Sequence, residues 1–193
     1  MTVADLALGE VTTRAQWRAW LTAHHIQAAN IWLVTYKANT SQPRVPWDVL
    51  VEEALAFGWI DSLPRKLDDE RTMLLMSPRK PGSNWSGVNK ARIEKMTAAG
   101  LMHPAGLAKI DQARADGSWT ALDAVDRLEV PADLQAALDA RPGAAATFGG
   151  FPPSTRRGIL EWIGNARRPE TRARRIAETA DKAARGERAN QWR

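Results

Sequence analysis

Between Trp59 and Ser77 the hydrophobic pattern changes period, and that change limits the fold more than any other feature of the chain. Residues 59–67 and 71–77 read as two strands joined by the acidic turn Asp68-Asp69-Glu70. Upstream, Ile31 to Lys37 is β-branched and aromatic, and it places Trp32, Val34 and Tyr36 on one face of a third strand. Everything else with a period follows the helical one. The expected class is therefore α+β: a small antiparallel sheet of about three strands packed by helices, followed by an all-helical C-terminal third.

The helices are marked at their ends. Thr13 with Gln16 fits a capping box. Behind it Trp17, Trp20, Leu21 and His24 form one apolar stripe. Pro46 suits the first turn of a helix whose stripe is Trp47, Leu50, Val51, Ala54 and Leu55, and Gly58 stops it. Ser86 is a plausible N-cap for a helix closed by Gly100, and His103-Pro104 opens another through Ala115. Residues 118–126 read as loop with room for one helical turn. Pro131 and Pro142 each start a short helix, Ser154 is expected to cap the next, and the last begins near Pro169. That last helix carries Ala173, Ile176, Ala177, Ala180 and Ala184, small residues that predict close packing on its predecessor. The organisation expected is residues 1–128 as an α+β domain and 129–193 as a basic helical region packed on it.

Composition narrows the class. The chain has 193 residues, 44% of them hydrophobic and 25% charged, enough to bury a core without disulfides or metal. That excludes general disorder, collagen and a disulfide scaffold. There is no apolar run long enough to cross a bilayer, so no membrane insertion is expected. Residues Met1 to Asp5 lack a basic n-region and apolar core, which makes the cytoplasm the expected location. The absence of cysteine excludes thiol chemistry and thiolate metal sites.

The charge is uneven. Of 27 Lys and Arg against 22 Asp and Glu, residues 156–193 hold 11 against 5, which leaves 16 against 17 elsewhere. The helix bearing Arg167, Arg168, Arg172, Arg174 and Arg175 thus raises nucleic-acid binding as one alternative. Against it stand the interleaved Glu170, Glu178 and Asp181, which suit pairs such as Glu170–Arg174 and Glu178–Lys182. No known nucleic-acid-binding spacing is present.

Phosphate-binding loops, dinucleotide fingerprints, nucleophile elbows and the paired-histidine zinc motif are all missing. Of the three histidines, His24 and His25 are adjacent, point about 100° apart on a helix and cannot readily chelate one ion. No metal and no cofactor are expected.

The chemistry is densest in residues 57–96, where tryptophans alternate with acids, bases and amides. Trp59, Asp61, Lys66, Asp68, Arg79, Trp85, Ser86, Asn89 and Arg92 are the candidate ligand-binding residues: aromatics give shape, and a few charged groups fix orientation. Backbone amides at the Ser86 helix start suit an anion. A catalytic alternative uses Asp61 or Asp68 as acid–base, with Lys66 or Arg79 holding an anionic substrate. The purely structural alternative pairs Asp61 and Asp68 with Arg65, Lys66 or Arg79 and sinks both tryptophans in the core.

The runs Phe57-Gly58-Trp59-Ile60-Asp61-Ser62, Ser77-Pro78-Arg79-Lys80 and Ser83-Asn84-Trp85-Ser86-Gly87-Val88-Asn89 resemble the YdeI/OmpD-associated family, often labelled bacteriocin-protection proteins. Gly100-Leu101-Met102, Phe151-Pro152-Pro153-Ser154 and Glu170 to Ile176 extend the resemblance over roughly residues 13–186. Ser62-Leu63-Pro64 departs from it, since a glycine is expected after the aspartate. The resemblance implies a stress-tolerance role against bacteriocins or antimicrobial peptides, exercised by binding rather than catalysis. It carries no reaction and no catalytic residue. The partners expected are a small anionic ligand or another protein.

Overall fold

The computed structural model describes residues 8–190, and residues Met1 to Asp5, read above for a secretory signal, lie outside them. The chain divides after Thr120 into two compact units.

The first unit is built on β1 (Leu8–Glu10), α1 (Arg14–His24), β2 (Ile31–Tyr36), α2 (Trp47–Ala56), β3 (Trp59–Lys66), β4 (Arg71–Pro78), α3 (Gly87–Ala98) and α4 (Pro104–Ala115). The strands order as β1-β2-β4-β3. β2, β4 and β3 are antiparallel, as the sequence predicts. β1 adds a short parallel edge beside β2, too brief to show a period. β2 is buried on both faces. Ile31 and Leu33 join Trp17, Leu21, Trp59, Leu74 and Met76 in the main core, while Trp32 and Val34 pack with Met73 on the other side. β3 is the far edge, and its bulge between Asp61 and Pro64 together with the proline itself blunts it against pairing with another chain.

The helix ends follow local chemistry. Thr13 and Gln16 form the full capping box, with Gln16 Oε1 accepting the Thr13 N–H at 3.0 Å. Gly58, at φ +77°, reverses the chain out of α2 into β3. Ser86 Oγ accepts the Asn89 N–H at 3.3 Å, and His103 caps α4 with Pro104 at its first position.

The second unit is helical: α5 (Asp123–Asp126), α6 (Ala132–Asp139), α7 (Ala144–Gly150), α8 (Pro153–Gly164) and α9 (Pro169–Ala184). Its core is Leu134, Leu138, Phe148, Ile159, Leu160, Ile163, Ile176, Ala180 and Ala183. Two expectations are corrected. Ser154 does not cap α8, because Pro152 holds the cap position and Pro153 the first turn. On α9 the buried alanines are Ala180 and Ala183, while Ala173 and Ala184 face solvent, and the helix packs on α6 and α7 as well as on α8.

Candidate functional site

The sequence-predicted residues do not converge on one place. Trp59 is 1% exposed, its indole Nε1 donates to the His25 carbonyl at 3.0 Å, and its ring meets Trp20 edge to face. It belongs to the core and cannot wall a ligand site. Asp61 sits half-buried on β3 opposite Met76. Asp68 is roughly 15–20 Å farther along the hairpin. There its Oδ1 accepts the N–H groups of Glu70 and Arg71 at 3.0 and 2.7 Å, and its other oxygen holds the Arg71 guanidinium. The Arg71 side chain keeps the Asp68 carboxyl below its ordinary range, so it has no proton to exchange near neutral pH. The pairing partner of Asp68 is thus Arg71, and Lys66 pairs with Asp69 at 2.6 Å.

Arg79 and Trp85 do come together. The guanidinium lies 3.5 Å over the indole ring and donates to the Asn84 carbonyl. Ser86, Asn89 and Arg92 form a local chain at the start of α3, with Arg92 donating to Asn89 Oδ1 at 2.8 Å. This chain completes the helix start.

A different part of the first unit has the geometry of a ligand site. At the end of the sheet, Thr35, Thr72 and Lys66 stand in one cross-strand row. The loop before α2 and the first turns of α2 close over that row with Arg44, Val45, Trp47 and Leu50, leaving a cleft of about 470 Å³. That volume lies within the range of small-molecule sites. Its floor is apolar and its walls include Tyr36, Trp47 and Pro64. Four cations line it: Lys37, Arg44, Arg65 and Lys66. Lys37 is committed to the turn carbonyls of Asp68 and Asp69 at 2.6 and 2.9 Å, and Arg65 lies 5.4 Å over the Trp32 ring. Arg44 is exposed and forms no ion pair among the described residues. Lys66 is the one sequence-predicted candidate that this cleft contains.

Trp47 and Arg44 were not singled out from the sequence as site residues. Trp47 was expected on the buried stripe of α2, yet it is 41% exposed, because at the first position of the helix it lies beyond the core. A second feature does have a sequence signal. Glu52 and Glu53 interrupt an otherwise apolar helix, and both are buried. Glu53 receives Arg14 at 2.5 Å and Arg18 at 2.7 Å, and Glu52 receives Lys95 at 2.6 Å. These pairs bind α1 and α3 to α2.

In the second unit the arginines are largely engaged. Arg172 holds Asp133 through two bonds of 2.7 and 2.9 Å, Arg157 holds Asp126 and Glu161, and Arg175 stacks on Trp162 and donates to its carbonyl. The predicted Glu178–Lys182 pair forms at 2.9 Å. Arg167, Arg168 and Arg174 face solvent.

Residues 127–186 match the family model described as "Bacteriocin-protection, YdeI or OmpD-Associated". Residues 9–109, slightly more than half of the chain, match a separate model described as a domain of unknown function (DUF8412). The cleft, the Arg79–Trp85 stack and the buried glutamates all fall within the second of these spans. No curated protein and no solved structure matches the chain. The chain therefore belongs to the DUF8412 family, whose model covers residues 9–109, and its residues 127–186 are similar to the bacteriocin-protection, YdeI or OmpD-associated family.

Proposed function

We propose that the protein serves stress or bacteriocin and antimicrobial-peptide tolerance by binding, and that its first unit holds a small amphipathic anion in the cleft between Trp47 and Lys66. One observation carries the reading: an apolar cleft of about 470 Å³ is lined by four cations, and the exposed Arg44 at its mouth has no acidic partner among the described residues. The aromatic walls suit the body of such a ligand, and Arg44 and Lys66 suit its charged end. The same charge disfavours direct capture of a cationic peptide, so the tolerance role is indirect. A cytoplasmic site of action belongs to the same proposal. No helix among the described residues is long and apolar enough to cross a membrane.

The test is an indole NMR titration with benzoate, octanoate and octylamine. Both anions are expected to shift the Trp47 Nε1–H resonance. Octylamine should leave it still, and Arg44→Ala should weaken binding about tenfold, the loss of one charge-assisted hydrogen bond. Equal shifts with octylamine, or none with either anion, would overturn the reading.

A further inference from the structure

Thr72 stands at the middle of the cross-strand row in the cleft, between Thr35 on β2 and Lys66 on β3. Its alternate neighbours Leu74 and Met76 lie in the main core with Leu50 and Ala54 of α2, so the pleat turns the Thr72 side chain to that same face of the sheet. Thr72 is half-buried, and the bond that its Oγ1 donates to the Arg65 carbonyl, at 3.0 Å, lies exposed. With its proton committed there, the hydroxyl offers the cleft an acceptor.

Acceptors are scarce in this cleft. Among the described residues that line it, none is an acid, a carboxamide or a histidine. Arg44, Lys66 and the Trp47 indole are all donors. Of the other hydroxyls, Thr35 is buried and its Oγ1 already accepts the Val45 N–H at 3.4 Å, and Tyr36 gives its hydroxyl to Glu10 at 3.4 Å. An apolar ligand body laid over Thr72 would take water from its oxygen and return nothing, a loss that a ligand donor at the same place avoids. An ammonium is unsuited to supply that donor, because the charge around the cleft is positive. A hydroxyl is neutral and fits a single acceptor.

We infer, on the reading of the cleft as a site for an amphipathic anion, that its ligand is a hydroxy acid: a carboxylate whose apolar body carries one neutral hydroxyl, received by Thr72 Oγ1. Thr72 lies one strand away from Lys66, about 5 Å between backbones. The hydroxyl therefore sits apart from the carboxylate, not adjacent to it. Thr72 selects among amphipathic anions, and Arg44 and Lys66 select for their charge.

The experiment follows the Trp47 Nε1–H resonance of the full chain in titrations with benzoate, with ortho-, meta- and para-hydroxybenzoate, and with meta- and para-methoxybenzoate. The wild type is expected to bind the meta or the para hydroxy acid about threefold to tenfold more tightly than benzoate, the worth of one neutral hydrogen bond. The ortho isomer folds its hydroxyl onto its own carboxylate, and the methoxy acids have no proton to donate, so these should bind no more tightly than benzoate. Thr72→Val should bring the preferred hydroxy acid down to the affinity of benzoate, and Thr72→Ser should keep the preference. No hydroxy acid tighter than benzoate, or a preference that survives Thr72→Val, overturns the inference and leaves the cleft reading standing. No shift with any of the acids removes both. Should Thr72→Val fail to fold, the wild type decides alone: a methoxy acid as tight as its hydroxy counterpart refutes a donor at Thr72.

Discussion

His103 shows how much one side chain settles in the first unit. Its Nδ1 accepts the Ala105 N–H at 3.2 Å and so caps α4, which places the ring proton on Nε2. The ring stacks on Phe57 at 4.5 Å and meets His25 at 4.7 Å. Burial, then the neighbouring His25, then Arg18 each push its pKa below the ordinary 6.5. A proton arriving at Nδ1 would also break the cap. The unfolded chain therefore takes up this proton at a higher pH than the folded one. Stability conferred by the neutral ring is full above pH 6.5, declines as pH falls through 6.5, and levels off below the depressed folded value. The wild type is expected to lose more of its urea midpoint between pH 7.5 and pH 5.5 than His103→Asn, which keeps a capping side chain that does not titrate. Parallel midpoints in the two proteins would assign the pH dependence elsewhere. The caps, the turn aspartate and the left-handed Gly58 are features of this kind, set by a residue and its near neighbours. The sequence shows them for that reason.

At the scale of elements, legibility depends on whether a pattern repeats. β2, β3 and β4 run for six to eight residues between turn signals, long enough for a strand-like stretch to be readable. β1 spans three residues and was not. The packing of α4 on α2 has no periodic signal at all. It rests on Gly106, where an added Cβ would lie 2.2 Å from the Ala56 carbonyl oxygen. The His103 N–H donates to that same oxygen at 3.1 Å, so two contacts fix α4 to the last turn of α2. Because the obstacle is backbone, relief requires the helices to separate. Gly106→Ala is therefore expected to destabilise the protein by about 1–3 kcal/mol despite the better helix propensity of alanine. A thermal melt should show a fall of several degrees. An unchanged or raised midpoint would show that the two helices are free to move apart. The candidate cleft was hidden for a related reason. Thr35, Trp47, Pro64 and Thr72 are distant in sequence, and only strand register and the α2 entry bring them to one place. Charge density along the chain pointed instead to residues 57–96, where most of the polar groups serve the hairpin turn and the start of α3.

At the scale of the molecule, the excess positive charge of the C-terminal region coincides with a helical unit that has a core of its own. Leu134, Leu138, Phe148, Ile159, Leu160, Ile163 and Ile176 are buried against one another, and the small Ala180 and Ala183 let α9 approach α6 and α7. Ion pairs bridge the same helices. Arg172 reaches from α9 to Asp133 on α6, and Arg141 reaches Asp181 on α9 at 2.6 Å. The excess arginine is thus partly structural, which a count of charges along the sequence does not reveal. Exposed pairs of this kind add little each, so the apolar core must carry the unit. A helical segment of this size buries only about 60% of its unfolded surface, enough for marginal independent stability. We predict that a fragment of residues 121–193 retains helical circular dichroism and melts cooperatively, with a midpoint below that of the full chain. Arg172→Ala should lower that midpoint slightly, and Ile163→Ala should abolish the transition, since removing a fully buried Ile costs about 2–5 kcal/mol, comparable to the whole stability of so small a unit. A fragment with the spectrum of an unfolded chain would show that the boundary after Thr120 divides contacts without dividing folding.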